Sequence, residues 1–447
     1  MAITNEHRLG LGLGWAFTAL LVALLALALC VPLWAATAVE DQSYSRATPE
    51  QMKWWSEARF GLFVHWGPIS LKGTEIGWSR GKYGGRGLEQ GGGIIPVEEY
   101  DNLYKQFNPV KFDPDEWVRI AKAAGMKYLV FTTKHHDGFC EFDSKLTDYK
   151  ITNSPYGKDI VAQLAKACYK AKLPLGFYYS PLDWHHPDYF TANHARYIEY
   201  MHGQLRELCT NYGKISIIWF DGLFSTAEDM DSPRMIKMIR ELQPGILINN
   251  RAGLPADFGT PEQEIGGFDN TRPWESCITI GNRWSWKPND NIQSLKECID
   301  TLALCAGGDG NLLLNVGPMP DGRIEDRQVE RLKEIGAWLK KNGESIYATH
   351  GGPFMPTKNI ASTYKSKTVF LHILKWPEGA DEIKLPGIGK KIVSARLLTG
   401  GKVNVEQRAD CIQVMIKPED RNALDTIVAL KLDGPASDIE PVRLTTD

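Results

Sequence analysis

Ile215-Ser216-Ile217-Ile218-Trp219-Phe220-Asp221-Gly222 is the stretch that decides the fold. Its first six residues are almost continuously apolar and do not alternate, so they read as a strand buried on both faces rather than half-exposed. A helical pattern over about 193–211 precedes it. The same unit recurs along the chain. Asp113-Pro114-Asp115-Glu116 is a helix start, with Asp at the cap and Pro behind it. Trp117, Ile120, Ala121 and Ala124 keep the helical stripe, Gly125 stops it, and Tyr128-Leu129-Val130-Phe131 follows as a strand. A helix opened by Asp159 leads into Leu175-Gly176-Phe177-Tyr178-Tyr179, and one opened by Ser232-Pro233 into Ile246-Leu247-Ile248. Phe60 to Val64 is an early strand, and Asn311 to Val316 is a late one ahead of a helix near 325–341. Strands of this kind, each fed by a helix, form a parallel sheet. Over this length the expected fold is α/β: a (β/α)8-type barrel with one or two irregular units.

Beyond about 350 the period changes. Runs at 368–374, 391–398, 411–416 and 427–432 are short and separated by Gly, Pro and Asp turns, which predicts a small C-terminal antiparallel β-sandwich. At the other end, Trp15 to Ala35 carries no charge, Arg8 lies upstream, and Ala36-Thr37-Ala38 precedes polar sequence. That is a signal-peptide pattern with cleavage after Ala38, the alternative being a retained membrane anchor. The expected organisation is a signal peptide over 1–38, a barrel over 39–347 and a β-sandwich over 348–447, in an exported protein, periplasmic or secreted, that is not inserted in the membrane after cleavage.

Composition narrows the function. The 447 residues hold 51 Lys+Arg against 54 Asp+Glu, which leaves no basic footprint for nucleic acid. The 14 Trp, 16 Tyr and 16 Phe suit an aromatic-lined site of the sort that stacks on sugar rings. Setting aside Cys30, the cysteines number seven, an odd count without a C-x-x-C pair, and read as buried small hydrophobes.

In a βα barrel the chemistry sits at the C-terminal ends of the strands. Those ends carry His65-Trp66-Gly67, Lys134-His135-His136-Asp137-Gly138, Tyr179-Ser180 with Asp183-Trp184, Asp221-Gly222 and Asn249-Asn250-Arg251. Imidazole, phenol, carboxylate and guanidinium groups thus converge on one rim. Asp221 emerges beside a buried strand, where a carboxylate can attack a carbon electrophile. Glycoside chemistry needs a second carboxyl. The candidates are Glu262, Glu264 and Glu275, the last beside Trp274, whose packing would raise its pKa. Adjacent histidines on an extended chain point apart, so His135-His136 and His185-His186 make poor metal pairs; neither a metal nor a cofactor is expected.

Taken together, Arg59 to Gly67, Lys134 to Phe139, Phe177 to Ser180, Ile218 to Gly222, Trp274-Glu275 and Gly310 to Pro318 resemble the α-L-fucosidases of glycoside hydrolase family 29. The resemblance implies a retaining exo-hydrolase that releases α-L-fucose from fucosylated glycans by double displacement. It implies Asp221 as nucleophile, His65, His135, His136, Tyr179, Trp219 and Arg251 as fucose-binding groups, and Trp284 as the aromatic on the sugar methyl. Glu275 matches one form of the family's acid/base and Glu262 the other. Gly77-Trp78-Ser79 stands where many members have Glu-Trp-Tyr, so Trp78 is kept at the site while its glutamate is missing; Glu75 lies two residues earlier. Two rival readings stay open: a fucose-binding protein without catalysis, and a retaining hydrolase of a related sugar such as a galactoside. Oligomeric state is not encoded in any motif.

Overall fold

The computed structural model describes residues 46–81, 93–222 and 226–444. The proposed signal segment lies outside the described residues.

Seven parallel strands form the main sheet: β1 (Phe60–Val64), β2 (Leu129–Lys134), β3 (Leu175–Tyr179), β4 (Ile217–Phe220), β5 (Leu247–Ile248), β6 (Glu275–Thr279) and β7 (Asn311–Val316). They lie side by side in the order β5-β4-β3-β2-β1-β7-β6, which leaves β5 and β6 as the edges. A segment over 257–263 fills the gap between them. Asn249 bridges Phe258 on one side, and Gly259 and Glu262 bridge Trp274 and Cys277 on the other, all in parallel. Asn250 N donates to Phe258 O, Gly259 N to Pro273 O and Cys277 N to Pro261 O, at 2.9–3.0 Å. Ladder bonds thus run on both sides of this irregular eighth strand, and the barrel is closed.

Helices α1 (Pro49–Ala58), α2 (Val97–Asp101), α3 (Pro114–Ala123), α4 (Ile160–Ala171), α5 (His194–Asn211), α6 (Ser232–Leu242), α7 (Leu295–Gly307) and α8 (Asp326–Asn342) accompany the strands. The starts read from sequence hold: Asp113 accepts from Glu116 N, and Asp159 from Ala162 N. Every residue of β1, β2, β3, β4, β6 and β7 is buried, as continuous apolar runs demand. Strand β6, Glu-Ser-Cys-Ile-Thr, has no apolar run to announce it in the sequence; its polar residues are nonetheless all buried.

The C-terminal region pairs two antiparallel sheets around one apolar core that includes Val369, Leu371, Ile383, Val414 and Leu430. The larger contains β8 (His350–Gly351), β9 (Ile360–Lys365), β10 (Thr368–Ile373), β12 (Ile392–Leu397) and β15 (Thr426–Leu432). The smaller contains β11 (Glu382–Pro386), β13 (Asn404–Gln407) and β14 (Cys411–Met415). The seven cysteines of the described residues are all unpaired, six of them buried.

Candidate active site

The strand ends open onto a cavity of about 390 Å³ lined by Phe63, His65, Trp78, His135, His136, Tyr178, Trp219, Asp221, Gly222, Arg251, Glu262, Cys277 and Trp284. Asp221 follows β4 at its centre. Its Oδ1 accepts from Arg251 Nη1 at 2.6 Å and Gly222 N at 2.7 Å, and its Oδ2 from the Tyr178 hydroxyl at 2.8 Å. Burial pushes this carboxyl up, but Arg251, His136 and the Tyr178 hydrogen bond outweigh burial and hold it below the usual range. Gly222, at φ 81°, turns the chain away; a Cβ there would stand 2.8 Å from His136 Cε1.

Arg251 lies on a 3-10 turn after β5, with its guanidinium carbon 4.7 Å over the Trp219 ring. Thr260 orients it, accepting from Nε at 2.8 Å and, through its carbonyl, from Nη2 at 3.0 Å. The same Nη1 that binds Asp221 also donates to Glu262 Oε2 at 2.7 Å. One nitrogen touches both, so the two carboxylate oxygens lie within about 5.3 Å, the combined length of the bonds. Retaining glycosidases hold their carboxyl pair ~5–5.5 Å apart. Glu262 owes its place to the eighth strand, where it stands opposite Cys277 with its side chain half-exposed at the mouth.

Glu275 is elsewhere. It is the first residue of β6, fully buried inside the barrel and absent from the cavity wall. Trp219 Nε1 donates to its Oε1 at 3.1 Å, and Trp55 Nε1 (3.2 Å) and the Tyr128 hydroxyl donate to its Oε2. Burial raises its pKa to about 7 against the pull of those three donors. Trp274, its sequence neighbour, takes no part: its indole donates to Gly308 O at 3.2 Å on the other face.

Tyr179 is also displaced from its expected place. It is the next residue along β3, so its ring points outward and its hydroxyl donates to Gln204 of α5 at 2.8 Å. Tyr178 takes the cavity-facing position. The register shows why, since Tyr178 pairs with Trp219 across β3 and β4 and like-numbered partners share a face. Placing Trp219 in the pocket therefore selects Tyr178. Phe63, two residues before His65, and Cys277 were missed for want of the same alternation argument.

The imidazoles are neutral wall groups. His65 Nδ1 meets Asn315 Oδ1 at 2.7 Å and His136 Nδ1 meets Ser180 Oγ at 2.6 Å. Burial lowers both to about 4 and lowers His135 well below its ordinary value. His135 and His136 both face the cavity, ring centres 4.0 Å apart, because β2 ends at Lys134 and the chain turns, Gly138 N donating to His135 O. That corrects the expectation that neighbouring histidines diverge. With Asp221 they place three ligand atoms within 4.8 Å of one another. Arg251 and Tyr178 already engage the carboxylate, so the set is poorly disposed to close on a cation. Trp78 stands edge-on to His136 (5.6 Å) and Trp184 (5.2 Å), and Trp284 packs on His65 (4.8 Å). Gly77, at φ 66°, comes so close to His135 that a Cβ would lie 2.6 Å from Nδ1, which leaves no room for the family's glutamate side chain in this backbone path.

A family model described as Alpha-L-fucosidase matches residues 27–344. The human tissue alpha-L-fucosidase is 30% identical over 360 residues, covering 73% of this chain and 76% of its own. Among solved structures, alpha-L-fucosidase isoenzyme 1 from Paenibacillus thiaminolyticus superposes with a TM-score of 0.77 at 38% identity, over 86% of this chain and 99% of its own. A Bacteroides thetaiotaomicron GH29 alpha-L-fucosidase, trapped as a covalent intermediate with 2-fluoro-fucosyl fluoride, gives 0.77 at 27%, over 87% and 98%. The chain belongs to the α-L-fucosidase family.

Proposed function

We propose that this chain is a retaining α-L-fucosidase in which Asp221 is the nucleophile and Glu262, not Glu275, the acid/base. The observation that carries the reading is the single Arg251 nitrogen shared by Asp221 and Glu262 at the cavity mouth. Asp221, held ionised, attacks the anomeric carbon while Glu262 protonates the departing oxygen; Glu262 then deprotonates the water that releases fucose. His65, His135 and His136, neutral and fixed, offer donors and acceptors to ring hydroxyls, while Phe63, Trp219 and Trp284 give the apolar face. The covalent intermediate trapped in the Bacteroides relative supports the double displacement.

A binding protein without catalysis would have no use for a carboxyl pair at this spacing. A panel of nitrophenyl glycosides tests the reading: turnover of the α-L-fucoside far above the galactosides supports it, and binding without turnover overturns it. The domain plan of 39–347 and 348–447 and export through cleavage after Ala38 belong to the same proposal. Among the described residues no helix is long and apolar enough to cross a membrane. Mass spectrometry of the native protein should find an N-terminus near Val39.

A further inference from the structure

The loop after β1 and the loop after β6 are laced together beneath Trp284. Ser285 Oγ donates to Thr74 O at 2.7 Å and accepts from Ile76 N at 3.0 Å. Glu75 sits at the centre of this lacing, 1% exposed. Its Oε2 accepts the backbone N–H of Trp284 at 3.2 Å, and its Oε1 accepts those of Ser285 (3.2 Å) and Ile76 (3.3 Å). The carbonyl of Trp284 is tied on its other side, accepting from Asn315 Nδ2 at 2.7 Å. Asn315 in turn holds His65. The peptide carrying the Trp284 ring is thus gripped by a buried carboxyl on its N–H side and by the barrel on its C=O side.

We propose that Glu75 is the positioning residue that sets sugar selectivity, by fixing Trp284 against Phe63 and His65 as the wall that admits a 6-deoxy sugar and rejects its 6-hydroxy counterpart. The proposal rests on the fucoside reading above. Fucose differs from galactose of the same hand only in bearing a methyl where galactose has a hydroxymethyl. The methyl is the one wholly apolar substituent on the ring, and Phe63 and Trp284, ring centres 6.0 Å apart, form an apolar corner of the cavity. A rigid apolar corner leaves an added hydroxyl without a partner, whereas one that can retreat lets it reach water. Glu75 touches no sugar in this arrangement. It acts through Trp284, and it is suited to the task because a carboxylate is the side chain that can accept several N–H groups at once while donating none.

The test is a cycle on the full chain with aryl α-L-fucoside and aryl α-L-galactoside. Glu75→Gln keeps size but turns an N–H₂ toward N–H donors. It should narrow the fucoside-over-galactoside ratio of kcat/KM about tenfold, with the fucoside loss falling mainly on KM. Trp284→Leu should narrow the ratio by at least as much, and the double variant should be no less selective than Trp284→Leu alone. An unchanged ratio in Glu75→Gln, or additive losses in the double variant, overturns the proposal. If Glu75→Gln does not fold, Ser285→Ala cuts the same lacing and carries the same test. If the unaltered protein turns over no fucoside, it is the fucoside reading that fails, not the role of Glu75.

Discussion

Trp219 donates its indole N–H to Glu275 at 3.1 Å, so the buried carboxyl holds the cavity's ring from behind. A carboxyl that burial raises to about 7 is here a fixture of the barrel interior, and it holds the ring that floors the cavity. A perturbed pKa marks a buried group, and only access to the reacting atoms makes it a catalyst.

Glu275→Ala should therefore look unlike the loss of an acid. It leaves the donors of Trp55, Tyr128 and Trp219 unpaired in the interior. At ~1 kcal/mol or more for each, the loss of stability should reach about 3 kcal/mol in denaturant unfolding. Surviving enzyme should show a raised KM and no azide product; an α-azide from this variant would restore Glu275 as the acid/base.

Azide separates the two cavity carboxyls. Asp221→Gly should abolish turnover of good and poor leaving groups alike, and azide should return activity as the β-fucosyl azide. Glu262→Ala should lose about 10²–10⁴-fold on an oligosaccharide but much less on a nitrophenyl fucoside, whose leaving group needs no proton. Azide should then give the α-anomer. NMR of the products decides, and a β-azide from Glu262→Ala would sink the assignment.

Buried titratable groups set opposite pH limits. His65 and His136 are lowered by burial from 6.5 to about 4. Their neutral burial stabilises the fold fully above 6.5, and this is lost as pH falls toward 4 and the unfolded chain takes up protons the folded one refuses. The kcat/KM profile should show no step near 6.5. Glu141 acts in reverse: neither of its buried oxygens has a hydrogen-bond partner among the described residues, and burial raises its pKa well above 4.5. Its contribution is greatest below 4.5 and is lost as pH rises. Glu141→Gln should raise the Tm more at pH 7 than at pH 4; an equal shift at both would refute the protonated state.

Removing metal should change nothing. The His135, His136 and Asp221 atoms lie close enough to meet an ion, but Arg251 is already 2.6 Å from the carboxylate. EDTA dialysis should leave kcat/KM unchanged, and a loss reversed by one divalent ion would overturn this account of the site.

The strands legible in the sequence are those whose two faces are both apolar. Ile217 to Phe220 and Asn311 to Val316 declare themselves, whereas Glu275 to Thr279 and the 257–263 segment are paired through backbone bonds that composition does not reveal. The site divides the same way. His65, Trp78, His135, His136, Trp219, Asp221, Arg251 and Trp284 lie on the cavity wall where motifs put them. The reading of Tyr179 falls one residue past Tyr178, the smallest error a strand permits and enough to reverse the direction of the side chain. Between Glu262 and Glu275 the choice turns on which stretch of a polar region completes the barrel, a pairing of 257–263 with Asn249 on one side and Trp274 and Cys277 on the other that no motif encodes.

Closure by the 257–263 segment also separates two kinds of distance. Glu262 is held by its rung opposite Cys277 and by the Arg251 bond, not by its count of residues from Trp274. The connection over 264–273 supplies neither of these two holds. A shift of one rung in the ladder would turn the same carboxyl away from Asp221 with no residue altered. The carboxyl at the cavity mouth is addressed by hydrogen-bond register rather than by its neighbours in sequence.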